Sequence, residues 1–147
     1  MGAYVATAGV VIFLIATFLD WVSTDDDSVT GSGYETDSTI PLVAYLGLGL
    51  AAALIYTLNR ARGRQHRGLS LTTMAAGVAA AGLALSYILD APGALERGGD
   101  YSAEVGTWIA LIGAIVWAVG AFLLAKEPEG DDDWHGTDHR TAEHTTH

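Results

Sequence analysis

The sequence predicts an all-α integral membrane protein, a four-helix bundle running up-down-up-down with both termini cytoplasmic. Three observations predict it. Half of the 147 residues are hydrophobic, with a mean hydropathy of +0.31. The apolar residues gather in four runs of about 20 residues that almost exclude charge. Basic residues concentrate in one short connection and acidic residues in the other two.

The first run covers residues 3–22 and carries one charge, Asp20, near its end. The runs at 40–58, 69–89 and 105–125 carry none. A helix rises about 1.5 Å per residue, so each run reaches across a hydrocarbon core of about 30 Å. A bilayer offers the backbone no hydrogen bonds, so a spanning run of this kind must be helical. Run one has no basic segment before it, as a secretory signal would, and Ala6 stands where a myristoylation signal needs Ser or Thr. It reads as a retained helix.

The connection "NRARGRQHRG" (59–68) holds Arg60, Arg62, Arg64 and Arg67 and no acid. Loop 23–39 holds five acids and no base, and loop 90–104 holds four acids against Arg97 alone. The positive-inside rule then places 59–68 and both termini in the cytoplasm and the two acidic loops outside a plasma membrane. Interfacial positions are expected for Trp21, Tyr45, Tyr87, Tyr101 and Trp108 at the outer boundary and for Tyr4 and Tyr56 at the inner one. Trp117 falls mid-helix, so its indole N–H needs a partner or a place at a helix contact.

Small residues suggest how the helices pack, because lipid tails leave close backbone approach as the main source of attraction. Helix four carries Gly106, Ala110, Gly113, Trp117 and Gly120 at alternating steps of four and three. Helix one repeats that order at Gly2, Ala6, Gly9, Phe13 and Ala16. An antiparallel left-handed pair along this seam is predicted. Helix two offers Gly47, Gly49, Ala51 and Ala53, and helix three offers Gly77 with Ala81 and Ala80 with Ala84, either to close the bundle or to join protomers.

The acids invite a metal reading. From Asp26, "DDSVTGSGYETD" has acids at positions 1 and 12 and glycine at 6 of an EF-hand-like loop. Hydroxyls stand at positions 3 and 5, and Asp37 replaces the long bidentate glutamate, so the pattern departs from that loop. A looser cation site would draw on Asp20, Asp25, Asp26, Asp27, Glu35 or Asp37. A carboxylate ring of Asp20, Asp90 and Glu104 is a further arrangement, and single solvated carboxylates are the simpler one. The tail at 127–147 has seven acids and no apolar period, and is expected to be disordered. Its His135, His139, His144 and His147 are read as scattered and solvated, with metal binding the alternative. Acidity on both faces fits whole-protein adaptation in a halophile-like prokaryote better than one local site.

Several classes are disfavoured. There is no cysteine, so neither disulfides nor thiolate chemistry arises, and a net charge of −10 argues against nucleic acid. No run has an ionisable residue near its middle, as proton relays and ion-coupled transporters require. No run contains a histidine for haem, no phosphate-cradling glycine loop is present, and no cofactor is expected. The expected role is a non-enzymatic membrane scaffold or accessory subunit that meets other membrane proteins, or itself, through glycine-rich helix faces. The alternatives are an oligomeric pore-former or holin-like channel, and a small-molecule or lipid transporter or binder.

"FLDWVS" after helix one, "GSGYET" in the first loop, the arginine-rich connection and "GTWIALIGAIVWAVGAFLLA" give residues 1–126 a plan that resembles small prokaryotic four-helix transmembrane proteins. It also resembles the claudin-like tetraspan plan, without the paired cysteines of that family's first outer loop. That loop is short here, and no extracellular sheet is expected from it. No functional residue carries over.

Overall fold

The computed structural model describes residues 1–24, 29–60, 66–90 and 101–128. The molecule is mostly helical, with a small sheet at one end. Three helices are long and apolar enough to cross a membrane: α3 (Thr39–Arg60), α4 (Arg67–Leu89) and α5 (Val105–Ala125). Helix α1 (Gly2–Ala16) is apolar but has only 15 residues. The remaining elements are strands β1 (Asp20–Thr24), β2 (Thr30–Ser32) and β3 (Tyr101–Ala103), and the single turn α2 (Gly33–Thr36).

The first run is therefore not one helix over 3–22. Helix α1 stops at Ala16, and the backbone tightens through Thr17 N–H to Leu14 O, Phe18 N–H to Ile15 O and Leu19 N–H to Ala16 O. The Thr17 hydroxyl also donates to Leu14 O, and the Trp21 indole donates to Ala16 O at 2.7 Å. These bonds satisfy carbonyls that the next helical turn would otherwise have used. Hydropathy hides the break because Phe18, Leu19, Trp21 and Val22 are as apolar as the helix before them. The ends of the other runs shift by two residues or fewer.

The fold is also not purely α. The sheet has the order β2-β1-β3, antiparallel throughout. Val22 faces Gly31 and Ala103, and Ser23 faces Thr30 and Ser102, with an irregularity between Asp20 and Val22. Both connections that the sequence assigns to one side of a membrane contribute strands, and β1 in the centre joins them. The short first loop thus does build a sheet, with a strand borrowed from the second.

Helix α1 packs on α5 and α3, and α4 packs on α5 and α3. The α1–α5 contact is the tightest. A Cβ added at Gly9 would lie 2.2 Å from Trp117 N and 2.6 Å from Gly113 O. One at Gly120 would lie 2.2 Å from Ala6 N, and one at Gly113 would lie 2.7 Å from Phe13 N. Backbone touches backbone at these points, and the pairing of Gly9 with Gly113 and of Ala6 with Gly120 makes the helices antiparallel. Helix α4 approaches α5 in the same way through Gly77, whose Cβ would meet Ala118 N at 2.8 Å.

The interior is built mainly from small residues, including Ala6, Ala16, Ala44, Ala80, Ala84, Ala110 and Ala114. Large side chains such as Leu42, Tyr56, Val78, Ile112, Ile115 and Phe122 point outward. This inverts the soluble pattern and gives an apolar exterior, as a lipid environment allows. The buried hydroxyls of Ser70 and Thr73 donate to His66 O and Leu69 O one turn back, so they add no polarity to the helix contacts.

We expect Gly9→Leu and Gly120→Leu each to destabilise the purified protein by at least about 1–3 kcal/mol, because backbone rather than a movable side chain occupies the space. Gly49→Leu serves as the control, since nothing lies within 4 Å of the added carbon. Denaturant titration in detergent measures the difference. Equal stability of all three variants would contradict the seam geometry.

Candidate functional site

The seam residues lie together. Gly9, Ala16, Gly106, Ala110, Gly113, Trp117 and Gly120 are all buried along α1 and α5. Trp117 interrupts the small residues and fills the space that α3 leaves. A Cβ on Gly47 would stand 2.8 Å from its Cη2. Its ring meets Phe13 edge-on at a centroid distance of 6.4 Å, and its Nε1 has no hydrogen-bond partner among the described residues. Of the two roles open to it, the structure gives it the helix contact.

The seam continues into an aromatic cluster under the sheet. Phe13 meets Trp21 at 6.2 Å and Trp21 meets Tyr87 at 5.5 Å, both edge-on. Trp21 and Tyr87 are thus core residues, because β1 folds back over the bundle end and takes Trp21 with it. Tyr4, Tyr45, Tyr56 and Trp108 do stand exposed, and Tyr101 is half-buried. Phe18 and Tyr34 add an exposed pair, with ring centroids 5.1 Å apart, and the Tyr34 hydroxyl meets that of Tyr45.

The strand is pinned by its own backbone. Trp21 O accepts from Glu104 N–H at 2.9 Å and from the buried Thr107 hydroxyl at 2.8 Å. Gly106 lets α5 come in below, since its Cβ would meet Asp20 O at 2.6 Å. The Ser23 hydroxyl donates to Glu104 and lies 3.2 Å from that of Ser102.

Among the described residues the candidate carboxylates do not converge. Asp20 is exposed at the start of β1. Glu35 closes a capping box on Ser32, accepting its N–H at 3.1 Å and its hydroxyl at 2.9 Å. Asp37 accepts Thr39 N–H at 2.8 Å through Oδ1 and the Tyr87 hydroxyl at 3.2 Å through Oδ2. It starts α3 and ties that start to the end of α4. Among the described residues no group of three His, Asp or Glu side chains forms a metal cage. Asp25, Asp26, Asp27 and His135, His139, His144 and His147 lie outside the described residues, as does most of the tail. Glu104 is engaged with Ser23, and Asp90 is exposed just past α4.

These contacts join first loop, second loop and three helices at one end. The sequence showed the aspartates but not their partners. The one readable signal was Ser32 with Glu35 three residues on.

The bonds from Ser32, first its N–H and then its hydroxyl, hold the Glu35 carboxyl below the ordinary glutamate range. A lowered value means that the cap's contribution is present above the ordinary value, about 4.3, and is lost as pH falls through the folded one. Amide protection across residues 30–36, taken relative to the intrinsic exchange rate at each pH, should therefore fall as the pH drops below the ordinary glutamate range. Glu35→Gln should remove that pH dependence. An unchanged acid response in the variant would count against the cap.

No protein-family model matches the chain, and neither a curated protein nor a solved structure matches it.

Proposed function

We propose that the chain is a non-enzymatic integral membrane scaffold or accessory subunit. In this reading it crosses the plasma membrane four times. The arginine connection, the start of α1 and the end of α5 are cytoplasmic, and the sheet lies outside. Helix α1 spans about 22 Å by itself and reaches the outer boundary through the turn and β1 that follow it. The arginines support the orientation, and the apolar exterior supports the bilayer.

The observation that carries the reading is a second small-residue face. On α4, Thr72, Ala75, Ala79 and Gly82 follow steps of three and four and are all exposed. A Cβ at Gly82 would meet nothing within 4 Å. The covered seam between α1 and α5 shows what such spacing permits, namely approach to backbone contact. Of the small pairs that the sequence offers on this helix, Gly77 with Ala81 and Ala80 with Ala84, α4 buries Gly77, Ala80 and Ala84 inside the molecule and leaves Ala81 half-buried. The opposite face is left for a transmembrane helix of a partner membrane protein.

Gentle extraction from native membranes followed by mass spectrometry of co-purifying proteins tests this. Wild type should bring down a defined membrane partner. Ala79→Leu with Gly82→Leu should lower its recovery by about tenfold, a loss of about 1.4 kcal/mol, without changing the protein's own stability. Recovery of the chain by itself from both preparations would reject the accessory-subunit reading. A homo-oligomer broken by the same variant would place a second copy on that face instead.

A further inference from the structure

Three aromatic rings at the sheet end stand outside the core and touch one another. Phe18 follows the last turn of α1 and is 65% exposed, and Tyr45 on α3 is 56% exposed. Tyr34 on α2 joins them. Its ring centroid lies 5.1 Å from that of Phe18, with the planes tilted by 33°, and its hydroxyl shares a hydrogen bond with that of Tyr45. A contiguous exposed patch of large apolar side chains calls for a reason that scattered ones do not.

The turn that carries Tyr34 is held in place. Ser32 and Glu35 close its capping box. Gly33 lets it lie against the bundle, since a Cβ there would stand 2.9 Å from Thr17 O and 3.0 Å from Ile40 Cγ2. Helix α2 therefore sits level with the end of α1 and the start of α3. Tyr45 lies further along α3, about 9 Å from that start at 1.5 Å per residue. Helical side chains lean toward the N-terminus, so the Tyr45 ring rises toward the sheet end, and Tyr34 reaches down from α2 to meet it. The patch runs on into the apolar exterior. Ile15, one turn before Phe18, is exposed, and so are Leu42 and Leu46 beside Tyr45.

We propose that Phe18, Tyr34 and Tyr45 form an aromatic seat on which the first loop rests in the bilayer interface, against the ester and headgroup layer of the lipids. Rings with an apolar body and a polar tip favour that layer. The bond between the two tyrosine hydroxyls supplies each with a partner, which lowers the cost of taking them out of bulk water. Continuity with the side chains that face lipid selects the lipid layer as the occupant rather than a protein docking from the aqueous side. The inference rests on the membrane reading of the chain, and it adds that α2 lies at the lipid surface instead of projecting from it.

Fluorine NMR of the full chain carrying fluorotyrosine, in phosphatidylglycerol nanodiscs, tests the proposal. Signals are assigned by single Tyr→Phe variants. A nitroxide attached near the lipid headgroup should broaden the Tyr34 signal at least about threefold more than a water-soluble gadolinium chelate does, since the ring sits at the headgroup level. Phe18→Glu puts a charge into the seat and should reverse that order at Tyr34, whereas Phe18→Leu should keep it. Stronger broadening of Tyr34 by the chelate in wild type would overturn the proposal, as would an unchanged order in Phe18→Glu. Protection of Tyr34 from both agents would also overturn it, by placing protein over the patch. The chain has no cysteine, so a single spin label at Ile115→Cys, on the exposed side of α5, checks the membrane reading separately. A label there that oxygen reaches and the chelate does not leaves that reading standing even when the seat fails.

Discussion

The contact on which the rest of the structure depends is the one where α1 and α5 touch through their backbones. At Gly9, Gly113 and Gly120 there is no room for even a methyl group. Close approach of this kind maximises dispersion between helices whose side chains gain nothing by leaving lipid. It also dictates where bulk must go. With two helices pressed together, Phe13 and Trp117 are the large side chains the seam accommodates, and α3 answers the indole with Gly47. Helix α4 then approaches the other side of α5 through Gly77.

The same contact sets up the sheet end. Since α1 is shorter than α5, the chain leaving Ala16 must turn back while α5 is still beginning. The tightened turn at Thr17–Leu19 and the indole bond of Trp21 close α1. The carbonyl of Trp21 then receives donors from Glu104 and Thr107. Two loops far apart in the chain are thereby fastened to each other and to the aromatic cluster beneath. Asp37, bonded to Tyr87, extends the fastening from α3 to α4.

The two ends differ in chemistry as a result. At the sheet end Glu35, Asp37 and Glu104 are taken up by internal hydrogen bonds, while Asp20 and Asp90 are exposed. At the arginine end Glu127 takes up the donors of Met1 and Gly2, and among the described residues no side chain caps α4. The exposed small-residue face of α4 runs between the two ends. The proposed role as a scaffold or accessory subunit rests on that face, which the internal contacts leave uncovered.

What the sequence by itself determined was whatever depends on periodicity and composition. Three apolar runs are legible as long helices because they are long and apolar enough to cross a membrane, and a crossing run has to be helical to satisfy its backbone. The four-three rhythm of glycine and alanine in runs one and four is legible because helical geometry turns spacing into a face. What only the tertiary structure decided was where run one stops, that β1 pairs with strands from both loops, and that Trp21 and Tyr87 turn inward. The physical reason is that hydropathy records how apolar a residue is and not what its backbone bonds to. Apart from Thr17 and Asp20, helix, turn and buried strand are all apolar from Ala16 to Val22, and the donors that choose among them come from Trp21, Glu104 and Thr107. The partners of Asp37 and Ser23 were likewise hidden, because they come from residues 50 and 81 positions away.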